Sequence, residues 1–195
     1  MTGTLYITGD VTADGLLNSD ANALLLGMLL DQQVPMEWAF AGPNTLKERL
    51  GHLDPAKIAA MDVDEFVTIC CDKPAIHRFP GSMGKRIHSV CQALVSDYDG
   101  DAANLWADVV DGKELFKRLK ALPGYGDEKS KIFVALLGKT QGVQPDGWRD
   151  AAGKFGDDVP RSVADVHDEV SLGKVREWKK AQKAAKKDKQ DRPIT

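Results

Sequence analysis

The sequence predicts an all-α protein built as a two-lobed helical bundle, entered through a short N-terminal extended arm or hairpin. Three observations predict it. Apolar residues recur at helical spacing in successive segments, such as Leu24, Leu25, Met28 and Leu29, or Ile87, Val90, Leu94 and Val95. Aspartates stand where helices should begin, at Asp20, Asp54 and Asp62. Only residues 4–13, TLYITGDVTA, alternate apolar and polar side chains as a strand does.

The elements follow in order. Asp20 caps a helix running to about Gln33, apolar on more than one side and therefore central. Val34-Pro35 ends it, because proline disfavours helix at the residue before it. Residues 36–41 and 45–50 read as two short helical pieces around Gly42-Pro43. Asp54 with Pro55 at the first helical position starts the next helix, and Asp62 with Glu65 in capping-box spacing starts another. Pro74 and Phe79-Pro80-Gly81 mark a loop, followed by an amphipathic helix over 83–98. Residues 105–110, 113–121, 128–137, 148–154 and 162 to about 185 read as helical, with an irregular stretch over 138–147. The chain divides into an arm (1–19), a helical domain (20–170) and a basic C-terminal helix and tail (171–195). A chain of 195 residues with 43% apolar and 28% charged residues suits one domain or two lobes sharing a groove.

Charge and cysteines narrow the function classes. The net charge is −3, but nine basic against three acidic residues from Ser171 onward make that segment +6, so the first 170 residues carry −9. Such acidity excludes a broad nucleic-acid-coating surface and leaves room for local basic patches. No apolar run approaches the roughly 20 residues of a membrane span, and MTGTLYITGD is no secretory signal. Cys70, Cys71 and Cys91 suit small residues in a reducing cytoplasm. With no CxxC or HExxH spacing, no structural metal site is expected. A cytoplasmic monomer is expected.

The stretch Leu122-Pro123-Gly124-Tyr125-Gly126 interrupts two helix-favouring segments with the hydrophobe–Gly–hydrophobe–Gly pattern of a helix-hairpin-helix turn. Glycines allow backbone angles closed to other residues and let the chain approach a partner. The helix that follows opens with free N–H groups and a positive dipole end, which suit a phosphate. From these five residues alone, a tight helix–helix connection is an equal reading. A dinucleotide-binding loop is not, because a helix precedes the turn and the third glycine is missing.

The ordered set LLLGMLLDQQVP, FPGSMGKRIHSVCQAL and LFKRLKALPGYGDEKSKIFVALLGK, over about residues 20–156, resembles the helix-hairpin-helix base-excision DNA glycosylase superfamily. The hairpin is the specific part of the match. The resemblance implies a damaged or modified base in double-stranded DNA as substrate. Gly124, Tyr125 and Gly126 would offer backbone N–H groups to a phosphate and carbonyls to a monovalent cation. Gln33 would fill the gap left by an extruded base, since flipping costs a few kcal/mol and leaves a void. Lys129 and Lys85 would contact the DNA. Asp146, twenty residues beyond Gly126, would be the catalytic carboxylate, supporting charge on the sugar or activating water.

This chain departs from the family pattern in ways that restrict its chemistry. Asp146 lies in QPDGW, unlike the family's usual apolar approach, and a turn or N-cap role for it stays open, with Asp150 a nearby competitor. Relatives that also cut the strand carry a lysine two positions past the hairpin, and here that position is Glu128. The glutamate of adenine-specific relatives is replaced by Met28, and the four cysteines of an iron–sulfur cluster are missing. The expectation is monofunctional hydrolysis without lyase activity. The alternatives are a non-catalytic DNA-binding module on the same scaffold and a helical interaction protein with no DNA role. Trp38, Trp106, Trp148 and Trp178 read as core or interface anchors, with Trp38 or Trp148 the alternatives for stacking on a flipped base. His77-Arg78 and Lys85-Arg86 suit phosphate contacts or a solvated surface equally.

Overall fold

The structure, a computed structural model, describes residues 3–184. It is all-helical among these residues, as expected. The expected tail beyond residue 184 lies outside the described residues.

The N-terminal arm is extended only over its first residues. Single backbone bonds attach it: Gly3 N–H to the Asn18 carbonyl (3.0 Å), Thr4 N–H to Thr140 (3.2 Å) and Tyr6 N–H to Val166 (3.4 Å). Leu5 and Ile7 are buried. The Asp14 carboxylate accepts from Ile7 N–H (3.1 Å) and Thr8 N–H (2.9 Å). Helix begins at once with α1 (Val11–Ser19), capped by Asp10. The strand expected over 4–13 is therefore corrected: no ladder partner exists among the described residues, and the Asp10 cap takes the chain into a helix.

The central helix α2 (Ala21–Leu30) starts at the expected Asp20 cap, whose carboxylate accepts Ala23 N–H at 3.0 Å. Nine of its residues are buried, as an all-round apolar helix requires. It stops three residues before Gln33, for a reason given below. α3 (Met36–Leu50) runs through Pro43 as one helix rather than two pieces. Packing outweighs propensity here: Gly42 sits so close to α2 that a Cβ on it would lie 2.5 Å from Leu30 Cδ1. α4 (Pro55–Ala60) and α5 (Val63–Cys71) begin at Asp54 and Asp62, each carboxylate accepting two backbone N–H groups. α6 (Pro80–Asp97) uses Pro80 in its first turn and starts earlier than residue 83.

After a 3-10 helix at Ala102–Leu105, in place of the helix expected over 105–110, come α7 (Gly112–Ala121) and α8 (Asp127–Thr140). α9 (Trp148–Ala152) and α10 (Glu169–Ala184) complete the second lobe. α10 starts seven residues later than expected, because a Ser162/Asp165 capping box closes a separate 3-10 turn first. One continuous hydrophobic core joins the lobes. Across the seam, Arg176 on α10 pairs with Glu37 on α3 at 2.7 Å. No described helix is long and apolar enough to cross a membrane.

Candidate nucleic-acid interface

The hairpin is docked onto the end of α2. Gly124 has φ +81°, a left-handed value, and a Cβ there would lie 2.8 Å from Leu29 Cδ1. Glycine is thus required both by backbone angle and by close approach. Tyr125 is the anchor: its ring is buried and its hydroxyl donates to the Leu25 carbonyl at 2.6 Å. Its own N–H is committed to the Leu122 carbonyl at 3.1 Å. Tyr125 therefore holds the turn in place, while Gly124 and Gly126 are exposed with N–H groups that bond nothing among the described residues. Those two amides and the first turn of α8 form the open donor set.

α2 ends at Leu30 because its last carbonyls find donors outside the helix. The Lys129 ammonium donates to the Met28 (2.8 Å) and Leu29 (2.6 Å) carbonyls, and the Gln32 amide to Leu29 at 3.0 Å. Asp31 N–H bonds Gly27 and Met28, and Gln32 N–H bonds Leu30 at 2.7 Å. Lys129 thus caps α2 at its negative dipole end rather than reaching outward to DNA. Burial lowers its pKa from 10.5 to about 8, with Asp31 acting to raise it and Arg86 to lower it further.

These contacts present Gln33. Gln32 is held on three sides: the two bonds just given, Arg86 donating to its Oε1 at 2.8 Å, and His77 Nε2 to its backbone carbonyl at 3.0 Å. His77 Nδ1 accepts Phe79 N–H at 3.0 Å, so the proton of the neutral ring sits on Nε2. Burial lowers the His77 pKa, which favours that neutral form. Gln33 follows with φ +56°, uncommon for a residue with a side chain, and is exposed. Around His77 lie Trp38 (41% exposed) and Phe79 (46% exposed), both 6.4 Å or less from its ring, with Arg78 5.3 Å over Phe79. Lys85 is exposed on α6, one residue before Arg86.

Asp146 lies elsewhere. Its backbone pairs with the start of α7, N–H to the Val110 carbonyl and carbonyl to Gly112 N–H, both 2.8 Å. The hairpin is at the other end of α7, roughly 15 Å along the helix at 1.5 Å per residue. Asp146 is exposed, and no side chain caps α9. Trp148 beside it is buried, its ring packed so tightly on Gly138 that a Cβ there would fall 2.4 Å away. Trp106 and Trp178 are buried as well. The structure therefore brings Gly124, Gly126, Lys129 and Gln33 to one end of α2 and places Asp146 about a helix length from the hairpin.

Gln32, His77, Arg86 and Phe79 complete the Gln33 end and were not singled out as a unit from sequence. Their bonds span 45 and 54 positions, which no local pattern reveals. Bonds to the hairpin carbonyls of Pro123, Gly124 and Tyr125 are absent among the described residues, so neutral oxygens of the kind a monovalent cation takes are present.

Searches among curated proteins and among solved structures return no match. The family model described as HhH-GPD superfamily base excision DNA repair protein matches residues 26–192. On that match, which spans most of its length, the chain belongs to the HhH-GPD superfamily of base excision DNA repair proteins.

Proposed function

We propose that the protein is a monofunctional DNA glycosylase that hydrolyses the N-glycosidic bond of a damaged or modified base in double-stranded DNA. The observation that carries the reading is the convergence at one end of α2 of two open hairpin amides and an exposed, left-handed Gln33. The amides of Gly124 and Gly126 take a phosphate of the DNA backbone at the positive end of α8. A monovalent cation on the carbonyls of Gly124 and Tyr125 would add positive charge between turn and phosphate. Gln33, backed by the fixed Gln32, enters the stack where the base has left, and Trp38 and Phe79 offer faces to unpaired bases. Lys85 and Arg78 supply outlying charge to the backbone.

Strand cleavage through a Schiff base is not part of this reading. Glu128 occupies the position of the strand-cutting lysine, and Lys129 points its amine at α2. Borohydride reduction during turnover is expected to trap no covalent adduct. Duplexes carrying uracil, alkylated or oxidised bases, incubated with the folded protein and then cleaved with alkali, test the activity itself. Absence of abasic product from the whole panel sinks the enzymatic reading. It would leave the second one, a DNA-binding module without catalysis, which the exposed placement of Asp146 away from the hairpin favours.

A further inference from the structure

We infer that Arg86 is a positioning residue of the DNA site. Its guanidinium holds Gln32, and through it Gln33, while it also takes the phosphate bound by the hairpin amides. The inference rests on the placement of the hairpin and Gln33 on DNA in the reading above, and it adds the residue that ties the two together.

Arg86 rises from α6 between these features. Its Nη1 donates to Gln32 Oε1 at 2.8 Å. Its stem passes the turn: Arg86 Cδ lies 3.6 Å from where a Cβ on Gly124 would stand, and the guanidinium begins at the next atom. The end of α2, α6 and the hairpin therefore meet on one side chain. Its hold on Gln33 runs through the backbone. The Gln32 side chain is pinned at both ends, Nε2 to the Leu29 carbonyl (3.0 Å) and Oε1 to Arg86. The Gln32 carbonyl, to which His77 Nε2 donates at 3.0 Å, lies in the peptide plane that carries the Gln33 nitrogen. Fixing that plane keeps Gln33 at φ +56°, an angle that costs energy for a residue with a side chain.

The remainder of the guanidinium is open to a ligand. Arginine carries five N–H donors in a rigid fork. Apart from the bond to Gln32, those of Arg86 make no hydrogen bond or ion pair among the described residues, and the side chain is exposed. Asp127, on the first turn of α8, is already paired with Lys120 and Lys131. The Lys129 ammonium, which feels the charge of Arg86, is turned onto the α2 carbonyls. Positive charge thus gathers behind the open amides of Gly124 and Gly126, and the Arg86 fork is its exposed part. A phosphate there accepts charge-assisted bonds from the fork while Nη1 stays on Gln32. A lysine at this position keeps the charge, but its compact ammonium does not serve Gln32 and a phosphate from one plane.

The test is titration of the full chain with two duplexes of one sequence, one intact and one holding a tetrahydrofuran abasic analogue, at several salt concentrations. The ratio of the two affinities measures preference for the gap. Arg86→Met is expected to lower the salt slope on both duplexes by about 0.9, the share of one phosphate, and to cut the preference about tenfold. Arg86→Lys is expected to keep the wild-type slope and lose the preference to the same extent. Gln32→Ala should do likewise, and the double variant Gln32→Ala/Arg86→Lys should lose no more than either alone. Retained binding of the intact duplex shows that each variant is folded. A wild-type slope in Arg86→Met means that Arg86 touches no phosphate. A wild-type preference in Arg86→Lys, or losses that multiply in the double variant, mean that it does not act through Gln32. Any of these overturns the inference and leaves the glycosylase reading standing. A wild-type chain without preference for the analogue overturns the inference together with the role of Gln33. The expected cycle with no base release from any lesion duplex overturns the glycosylase reading and supports the inference.

Discussion

At the scale of single residues, Gly124 and Lys129 set how firmly the hairpin sits on α2. Gly124 combines φ +81° with a Cβ position 2.8 Å from Leu29 Cδ1. Gly124→Ala is expected to cost roughly 1–2 kcal/mol of stability and to weaken duplex binding, because the strained turn moves the amides off their target. Thermal melts and duplex titration check both effects. The sequence places Lys129 on DNA, and the structure places it on α2. Its partners are the carbonyls of residues a hundred positions earlier, and only the packing of α8 on α2 reveals them. Its folded pKa of about 8 lies below the ordinary 10.5. Between these values the unfolded chain binds more protons than the folded one, so stability rises with pH through that window. In urea unfolding at pH 8 and pH 10, the wild type is expected to gain stability relative to Lys129→Met on going to the higher pH. Equal changes in both proteins would show that Lys129 is not held in this low-pKa state.

At the scale of elements, the helix starts were legible and the helix extents were not. Asp20, Asp54 and Asp62 bind the N–H groups next to them, so their effect is written within three residues. The passage of α3 through Pro43 depends on Leu30, and the stop of α2 depends on Lys129. Both are long-range facts that local propensity does not contain. In the candidate site, the hairpin and Gln33 were legible because glycines and turn chemistry are local, whereas the bracing of Gln32 by His77 and Arg86 was not. α8 carries one more feature that bears on function. Its first turn, where a phosphate would bind, already holds the Asp127 carboxylate, which Lys120 and Lys131 keep below the usual carboxylate range. An incoming phosphate meets that negative charge and competes for the same two lysines. Asp127→Asn is expected to tighten duplex binding a few-fold while slightly lowering the melting temperature, since the carboxylate also favours the helix N-terminus. Movement of both readouts in the same direction would count against the competition.

At the scale of the whole molecule, the charge distribution has to be reconciled with a polyanionic partner. The first 170 residues carry −9 and the remainder +6. The basic portion is not free to lie anywhere. Arg176 of α10 is paired to Glu37, and the Lys179 ammonium lies 3.7 Å from the Met36 sulfur, both at the start of α3, three to four residues after Gln33. α10 is thus tied to the start of α3, close to Gln33, the proposed DNA-facing residue, and four basic residues follow position 184 in the sequence. The acidic body slows approach of a duplex, and the attached basic segment offsets part of that charge. Phosphate contacts release counterions, so the logarithm of affinity falls with the logarithm of salt by about 0.9 per phosphate neutralised. A chain ending at Ala184 is expected to bind duplex more weakly at low salt and to show a salt slope smaller by one or more phosphates. Its single-turnover base release at saturating protein should match the full chain, because the hairpin and Gln33 are untouched. An unchanged slope would mean that the basic segment does not meet the duplex, and that the hairpin end of α2 holds DNA against the charge of the body without its help.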